Sequence, residues 1–294
     1  MARSGTPTDG LLNLDKPGGW TSRRVVDRVA RLAAGAKAGH AGTLDPLASG
    51  VLVVSVGAAT RLFDYFQRMP KRYRAAFLLG RHSSTEDIEG EIASLDNPPV
   101  PTIGQIRAAA QKLTGRIQQR PPAYSAVKIE GRRAYRMARQ GQSFDLETRT
   151  VEVYRIDIEG YEYPELRLEI ECGSGTYVRS LGRDLATSLG TAAVMSALTR
   201  TAVGDFRIEE AVDVESLTAE NFFRFLLSPL RAVPMLSRVE LTAEEVFRVR
   251  SGQPITKAGS AEGSQEIAAV DPSGRLVAIL VRRGDDLLAP MRNF

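Results

Sequence analysis

Hydrophobic positions along this chain follow two rhythms, one of period two and one near 3.6. Residues 166–172 show the first most cleanly: Leu166, Leu168, Ile170 and Cys172 alternate with Arg167, Glu169 and Glu171. That pattern predicts a strand with one buried face, and it places Cys172 inside, where a thiol is inert. Residues 72–79 alternate more loosely, with Tyr73, Ala75, Phe77 and Leu79 on one side. Residues 51–56 are apolar apart from Ser55 and predict a central strand covered on both faces. A short strand over 11–14 precedes the turn Lys16-Pro17-Gly18-Gly19.

Helical spacing appears between these strands. Thr21 or Ser22 caps a helix with Val25, Val29, Leu32 and Ala33 on one face and arginines on the other, ended by Gly35. Thr102-x-x-Gln105 is a capping box opening a helix with the apolar face Ile103, Ile106, Ala110 and Leu113, closed by Gly115. After Gly173-Ser174-Gly175, a third helix carries Val178, Leu181, Leu185 and Leu189 up to Gly190. Leu198 is expected in a helix that follows Gly190. Residues 131–142 read as a strongly basic helix or arm with few apolar residues to pin it.

Around 229–234 the pattern breaks. Residues 236–294 read as a small separate unit, with a helix over 242–250, strands over 266–270 and 276–281 joined by the turn Asp271-Pro272-Ser273-Gly274, and a further strand over 287–291. The organisation expected is therefore a loose tail over 1–10, a main domain over 11–233 and a terminal unit over 236–294. The class is α+β, with a mixed, largely antiparallel central sheet flanked by helices.

Composition narrows the function. A chain of 294 residues with 43% apolar and 25% charged residues has the make-up of a soluble globular protein. No apolar run approaches the ~20 residues needed to span a bilayer, and the polar opening residues lack a secretory core. Cys172 is the single cysteine, so an intrachain disulfide is impossible, as suits a reducing cytoplasm. With only His40, His82 and Cys172 as soft donors, a zinc site is not expected; a carboxylate Mg²⁺ site stays open. Gly-Ser-Gly before a helix lacks the further glycine and the Lys-Ser/Thr of nucleotide-binding loops.

Net charge is +4, yet the basic residues cluster. Arg61, Arg68, Lys71, Arg72, Arg74 and Arg81 face a single acid, Asp64. Arg116, Arg120, Lys128, Arg132, Arg133, Arg136 and Arg139 face only Glu130. Tyr65, Tyr73, Tyr124 and Tyr135 are interleaved with them. Basic side chains attract phosphates and aromatic faces stack on unpaired bases, so nucleic-acid binding competes here with a plain solvated surface.

The candidate chemistry sits in residues 39–50, Gly-His-Ala-Gly-Thr-Leu-Asp-Pro-Leu-Ala-Ser-Gly. Pro46 keeps Asp45 out of a helical conformation, and glycines frame the loop. A stiff carboxylate beside a buried strand is a reasonable place for chemistry; an ordinary turn with a solvated Asp is the bland alternative. Arg179, in the first turn of its helix, opposes the helix dipole, which suggests a specific anionic partner rather than solvent.

The 39–50 stretch, continued by Val51-Leu52, resembles the signature of the bacterial tRNA pseudouridine synthase B family. So do four further blocks in the same order: Leu14-Asp15-Lys16-Pro17, Lys71-Arg72-Tyr73, the run Arg120 to Lys128, and Gly175-Thr176-Tyr177-Val178-Arg179. The resemblance implies the pseudouridine synthase fold with a terminal β-barrel of PUA type that binds RNA. It implies isomerisation of uridine-55 in the tRNA T-loop, by base flipping and without a cofactor. It gives Asp45 the part of nucleophile; a pairing Arg179 would keep it ionised, Tyr73 would stack on the uracil and assist C5 proton removal, and Leu198 would supply an apolar wall. His40 would fill the space left by the flipped base. Lys16, Arg72, Lys128, Arg132, Arg133 and Tyr177 are the remaining candidates for RNA or substrate contact, with Lys16 either RNA-facing or structural. Asp87 would position Arg179, and Gly42 and Thr43 would support the loop. The partner implied is the tRNA T-arm, gripped by a monomer.

Two other classes fit parts of the pattern. A tRNA-folding chaperone would use the same basic clusters without chemistry. A glycosidase-like hydrolase releasing free base would need a second carboxylate across the bond, and none shares the Asp45 block.

Overall fold

The computed structural model describes residues 9–125, 127–129, 131–142, 144–257, 265–283 and 286–294. Most of the expected tail therefore lies outside the described residues. Its last two residues are part of the fold: the Asp9 carboxylate accepts from the Ala58 amide at 2.6 Å, and Gly10 opens the first strand.

The sheet order is Val212–Asp213, Gly10–Lys16, Ser49–Val56, Ala193–Val203, Lys71–Leu79, Glu165–Cys172, Arg149–Glu162, Gly115–Gln119. Two short strands, Ala38–His40 and Phe206–Arg207, pair alongside, making ten among the described residues. Only two of its pairings are parallel, Gly10–Lys16 with Val212–Asp213 and Ser49–Val56 with Ala193–Val203. The alternation read over 72–79 and 166–172 is realised: Tyr73, Ala75, Phe77 and Leu79 are buried, as are Leu166, Leu168, Ile170 and Cys172.

Register matters most at one row across the sheet. Lys16 pairs with Gly50, Gly50 with Arg200, Arg200 with Tyr73, and Tyr73 with Ile170. The helix Ser22–Leu32, capped by Thr21 Oγ1, covers Leu12, Leu14, Leu52 and Val54 with Val25 and Val29. Helices Ile103–Lys112 and Val178–Ser188 cover Tyr73, Ala75, Phe77 and Leu168 with Ile106, Ala110, Leu181 and Leu185. Thr102 and Gln105 form the capping box on both sides.

Two sequence expectations fail locally. Ile103 is expected on the buried helical face but is exposed. It is the first helical residue, and side chains there point back beyond the helix end, so the buried stripe begins a turn later at Ile106. Leu198 lies on the strand Ala193–Val203, not on a helix. The β-branched Val194, Thr199, Thr201 and Val203 favour the pleated form over the helical one.

The terminal residues form a second sheet of five strands among the described residues, in the order Ser237–Glu240, Glu266–Val270, Leu276–Arg282, Leu287–Asn293, Ile255–Thr256. The helix Ala243–Arg250 carries a capping box from Thr242 and Glu245. Asp271 builds the tight turn, accepting from the Ser273 hydroxyl and from the Ser273 and Arg275 amides, which holds its carboxyl down at about 2. This unit is not separate in packing. Ala268, Leu276 and Ile279 share one core with Val51, Leu62, Tyr65 and Phe66, and the Tyr65 hydroxyl donates to Glu266 at 3.0 Å. The alternating apolar residues of its sheet leave a second face that only the main domain covers.

The basic segment contains a hairpin, Lys128–Ile129 against Arg132–Arg133, and the short helix Ala134–Arg139. The Ala134 and Tyr135 amides donate to the Val127 and Ser125 carbonyls, which ties this segment to the loop beside Arg179. No helix among the described residues is long and apolar enough to cross a membrane.

Candidate active site

The Asp45 turn is held from both sides. The Ser22 hydroxyl accepts from the Leu44 amide at 2.9 Å and donates to the Leu44 carbonyl at 3.0 Å. The Pro46 carbonyl accepts from the Gly19 amide at 2.8 Å, and the Ala48 amide closes the turn on the Asp45 carbonyl at 3.1 Å. The loop thus spans the first helix and the glycine turn before it, while the Asp45 side chain stays 36% exposed.

Arg179 meets that carboxylate from inside. Its side chain is 5% exposed, and its Nη2 lies 2.9 Å from Asp45 Oδ2. The same guanidinium donates to the Thr85 carbonyl at 2.7 Å and the Tyr124 carbonyl at 3.0 Å, and sits 3.4 Å from Asp87 Oδ2. Asp87 is buried and is itself oriented by the Thr85 hydroxyl at 2.6 Å and the Glu89 amide at 3.1 Å. Asp45, Arg179 and Asp87, distant in sequence, are therefore brought together.

The loop bearing Asp87 is pinned by partners that sequence reasoning missed. The Met195 amide donates to the Glu86 carbonyl at 3.0 Å and the Ile88 amide to the Met195 carbonyl at 3.1 Å. Glu86 adopts φ +63°, and its carboxylate pairs with Arg183 and accepts from Ser180. Burial pushes the Glu86 carboxyl up despite Arg183. Gln119 grips the start of the Arg179 helix, donating to the Tyr177 carbonyl and accepting from the Tyr177 amide. None of these pairs has a local signature.

Tyr73 lies on the same sheet face as this cluster and is 8% exposed. Burial raises its phenol above the ordinary range, with Arg200 opposing. Stacking on a base and hydrogen bonding are both open to a phenol held this way. Leu198 is buried beside Ala75 in the core that contains Tyr73.

His40 ends the strand Ala38–His40 and is half-buried. Burial, aided by Arg200, lowers it to about 4, so the ring is neutral. Its Nδ1 is buried without a hydrogen-bond partner among the described residues. Gly42 (φ +96°) is half-buried and Thr43 is exposed.

Lys16 is placed against an RNA-facing role. It is fully buried, and its ammonium donates to the Trp20 carbonyl at 2.6 Å, the Pro17 carbonyl at 3.0 Å and the Pro46 carbonyl at 3.4 Å. It staples the glycine turn to the Asp45 loop, because the row register points its side chain inward. Burial lowers it to about 8. Arg72 lies on the strand face opposite Tyr73, exposed and paired with Glu171 at 3.2 Å, so it does not join the cluster. Arg132 is exposed and donates to Gln140, and the Tyr177 ring packs under Arg149 at 4.5 Å. The side chains of Lys128 and Arg133 lie outside the described residues.

The chief omission of the sequence reading is Arg200. It is 1% exposed and donates to the Val51 carbonyl at 2.7 Å and the Gly42 carbonyl at 3.0 Å. In sequence it sits between two threonines and reads as an ordinary solvent-facing arginine of a strand.

Comparison with known proteins gives a consistent answer. Residues 30–178 match the family model described as TruB family pseudouridylate synthase (N terminal domain), and residues 236–294 match tRNA Pseudouridine synthase II, C terminal. The chain is 41% identical over 289 residues to tRNA pseudouridine synthase B of Arthrobacter sp. (strain FB24), covering 94% of this chain and 93% of the relative. It is 42% identical over 285 residues to the same-named protein of Thermobifida fusca (strain YX), covering 94% and 95%. Among solved structures, a chain of an H/ACA RNP bound to a substrate RNA containing 2'-deoxyuridine superposes with a TM-score of 0.72 at 25% identity, over 98% of this chain and 85% of that one. A chain of a Cbf5-Nop10-Gar1 complex gives 0.70 at 26%, over 95% and 83%.

Proposed function

The chain belongs to the TruB family of pseudouridylate synthases and isomerises uridine-55 of tRNA to pseudouridine; from that premise we propose that Asp45 is the carboxylate on which the reaction turns. The reaction breaks the bond between the ribose C1' and N1 of uracil, turns the base, and joins C1' to C5. The C5 proton is lost and N1 gains one, so the change is an isomerisation with no net oxidation. It needs an ionised oxygen nucleophile at the reacting nucleotide and a pocket that retains the detached base.

Asp45 supplies the oxygen. One carboxylate oxygen is held by Arg179 and the side chain still reaches solvent, so an everted nucleotide can meet it. The guanidinium keeps the carboxylate oriented, and its own position is fixed by Thr85, Tyr124 and Asp87. Preorganisation of this kind costs no rearrangement when the bond changes occur. Tyr73 and Leu198 provide the apolar wall for the base. A neutral His40 fills the vacated stack more readily than an imidazolium, because a charge inserted between bases would be stripped of water.

The substrate region we assign is the T-arm. The basic clusters around 61–81 and 116–139 would grip its phosphates, and the terminal sheet would act as a PUA-type module that extends the grip. The protein would work as a monomer in the cytoplasm, with no cofactor. The observation that carries this reading is the Arg179–Asp45 pair, buried on the arginine side and open on the aspartate side.

The test is to incubate the protein with an unmodified T-arm hairpin, without added cofactor, and digest the RNA to nucleosides. Pseudouridine at a single position is the expected product. Free uracil would instead indicate hydrolysis, and unchanged RNA that still binds would indicate the chaperone reading.

A further inference from the structure

Arg200 is the largest fully buried side chain described, and no carboxylate among the described residues lies within ion-pair distance of it. Its partners are the backbone carbonyls of Gly42 at one side of the Asp45 loop and Val51 at the other, together with the Tyr73 phenol. Burying a charge without an opposite charge is unfavourable relative to an apolar side chain of similar volume. Stability alone therefore does not account for an arginine here.

Its surroundings are shaped around it. Arg200 is the register partner of both Gly50 and Tyr73, so it stands between the strand that leaves the Asp45 loop and the strand that carries the tyrosine. A Cβ at Gly50, where φ is +100°, would overlap the Arg200 carbonyl oxygen and sit 2.8 Å from its amide nitrogen. A Cβ at Gly42 would lie 3.4 Å from Nη1. Gly50 thus makes room for the Arg200 backbone, while Gly42 lies in contact range of its side chain. The titratable groups that feel its charge come from four strands of the sheet: His40, Lys16, Tyr73 and Lys71, and Cys172. For His40 the charge adds to burial in opposing protonation, and for Tyr73 it works against burial.

We infer that Arg200 is a positioning residue of the isomerisation: it locks both ends of the Asp45 loop through the Gly42 and Val51 carbonyls and sets one unpaired buried charge between His40 and Tyr73. The inference rests on the reading of Asp45 as the reacting carboxylate, and its test separates the two.

The experiment compares Arg200→Lys, which keeps the charge and loses the fork, with Arg200→Met, which loses both. Four quantities are read in each: thermal midpoint, tRNA affinity, single-turnover rate on unmodified tRNA, and the His40 titration by NMR, where only His82 is a second imidazole. Arg200→Lys is expected to leave the His40 titration within half a unit, to keep tRNA affinity within threefold and to lose at least tenfold in rate. Arg200→Met is expected to move the His40 titration up by at least half a unit and to lose more rate than Arg200→Lys. If Arg200→Met fails to fold, Arg200→Lys alone decides. A rate within twofold of the parent in Arg200→Lys overturns the inference. So does a folded Arg200→Met whose His40 titration is unmoved. If Asp45→Asn retains turnover, the underlying reading fails, whatever Arg200 does.

Discussion

Arg179 lies 2.9 Å from Asp45, with an arginine side chain that is 5% exposed against an aspartate side chain that is 36% exposed. The pair is therefore fixed from one side and reachable from the other. A lysine at 179 keeps the charge but cannot hold Asp45, Thr85 and Tyr124 at once. Arg179→Lys is expected to lower the single-turnover rate by on the order of a hundredfold. Its tRNA affinity should stay within about threefold, because the side chain lies behind the carboxylate. Rapid-quench kinetics and filter binding on the same preparation check this; a parallel loss of both would place Arg179 in RNA binding instead.

Lys16 is buried against the loop, with its ammonium on the Pro17, Trp20 and Pro46 carbonyls. Lys16→Met leaves the Pro17, Trp20 and Pro46 carbonyls without their buried donor. The expected cost is about 1–3 kcal/mol of stability in denaturant unfolding, with tRNA affinity unchanged. Weakened tRNA binding at full stability would restore the RNA-facing role.

Gly50 tolerates nothing larger. Gly50→Ala combines a left-handed backbone with overlap on the Arg200 backbone. The expected loss is on the order of 3 kcal/mol or more, visible as a lower melting temperature or lost soluble protein. A Gly50→Ala variant that melts with the parent would contradict the close approach of the two strands.

The pH dependence of stability has a definite sign at His40. Burial first, then Arg200, lowers its folded value to about 4 from the ordinary 6.5. The unfolded chain therefore binds the extra proton between those limits. The contribution is fully present above about 6.5 and is lost as pH falls towards 4, up to about 3 kcal/mol in all. His40→Gln should flatten the stability profile across that window. An identical profile in the variant would assign the acid loss to other groups.

Local features were legible in the sequence and long-range ones were not. The strand of Leu166 and Cys172, the capping box at Thr102 and the Asp271 turn each depend on neighbours within a few residues, so pattern alone located them. The pattern over 236–294 located three of the five strands described there but not Ser237–Glu240 or Ile255–Thr256, and it could not show that Ala268 and Ile279 pack on Tyr65 and Phe66. Asp45 and Arg179 were singled out by loop chemistry, by an arginine at a helix start and by resemblance. Arg200 and the pairing of Glu86 with Arg183 arise from register between strands and loops far apart in sequence. Lys16 reads from sequence as either RNA-facing or structural, and the pairing of its strand with Gly50 turns it inward.

The most direct test of the account is Asp45→Asn, which keeps the shape and the Arg179 contact while removing the negative charge. Incubated in excess with unmodified tRNA and assayed by nucleoside digestion, it should bind tRNA as the parent does and form no pseudouridine over many parent half-times. Detectable turnover by that variant would contradict the assignment of Asp45 as the reacting carboxylate.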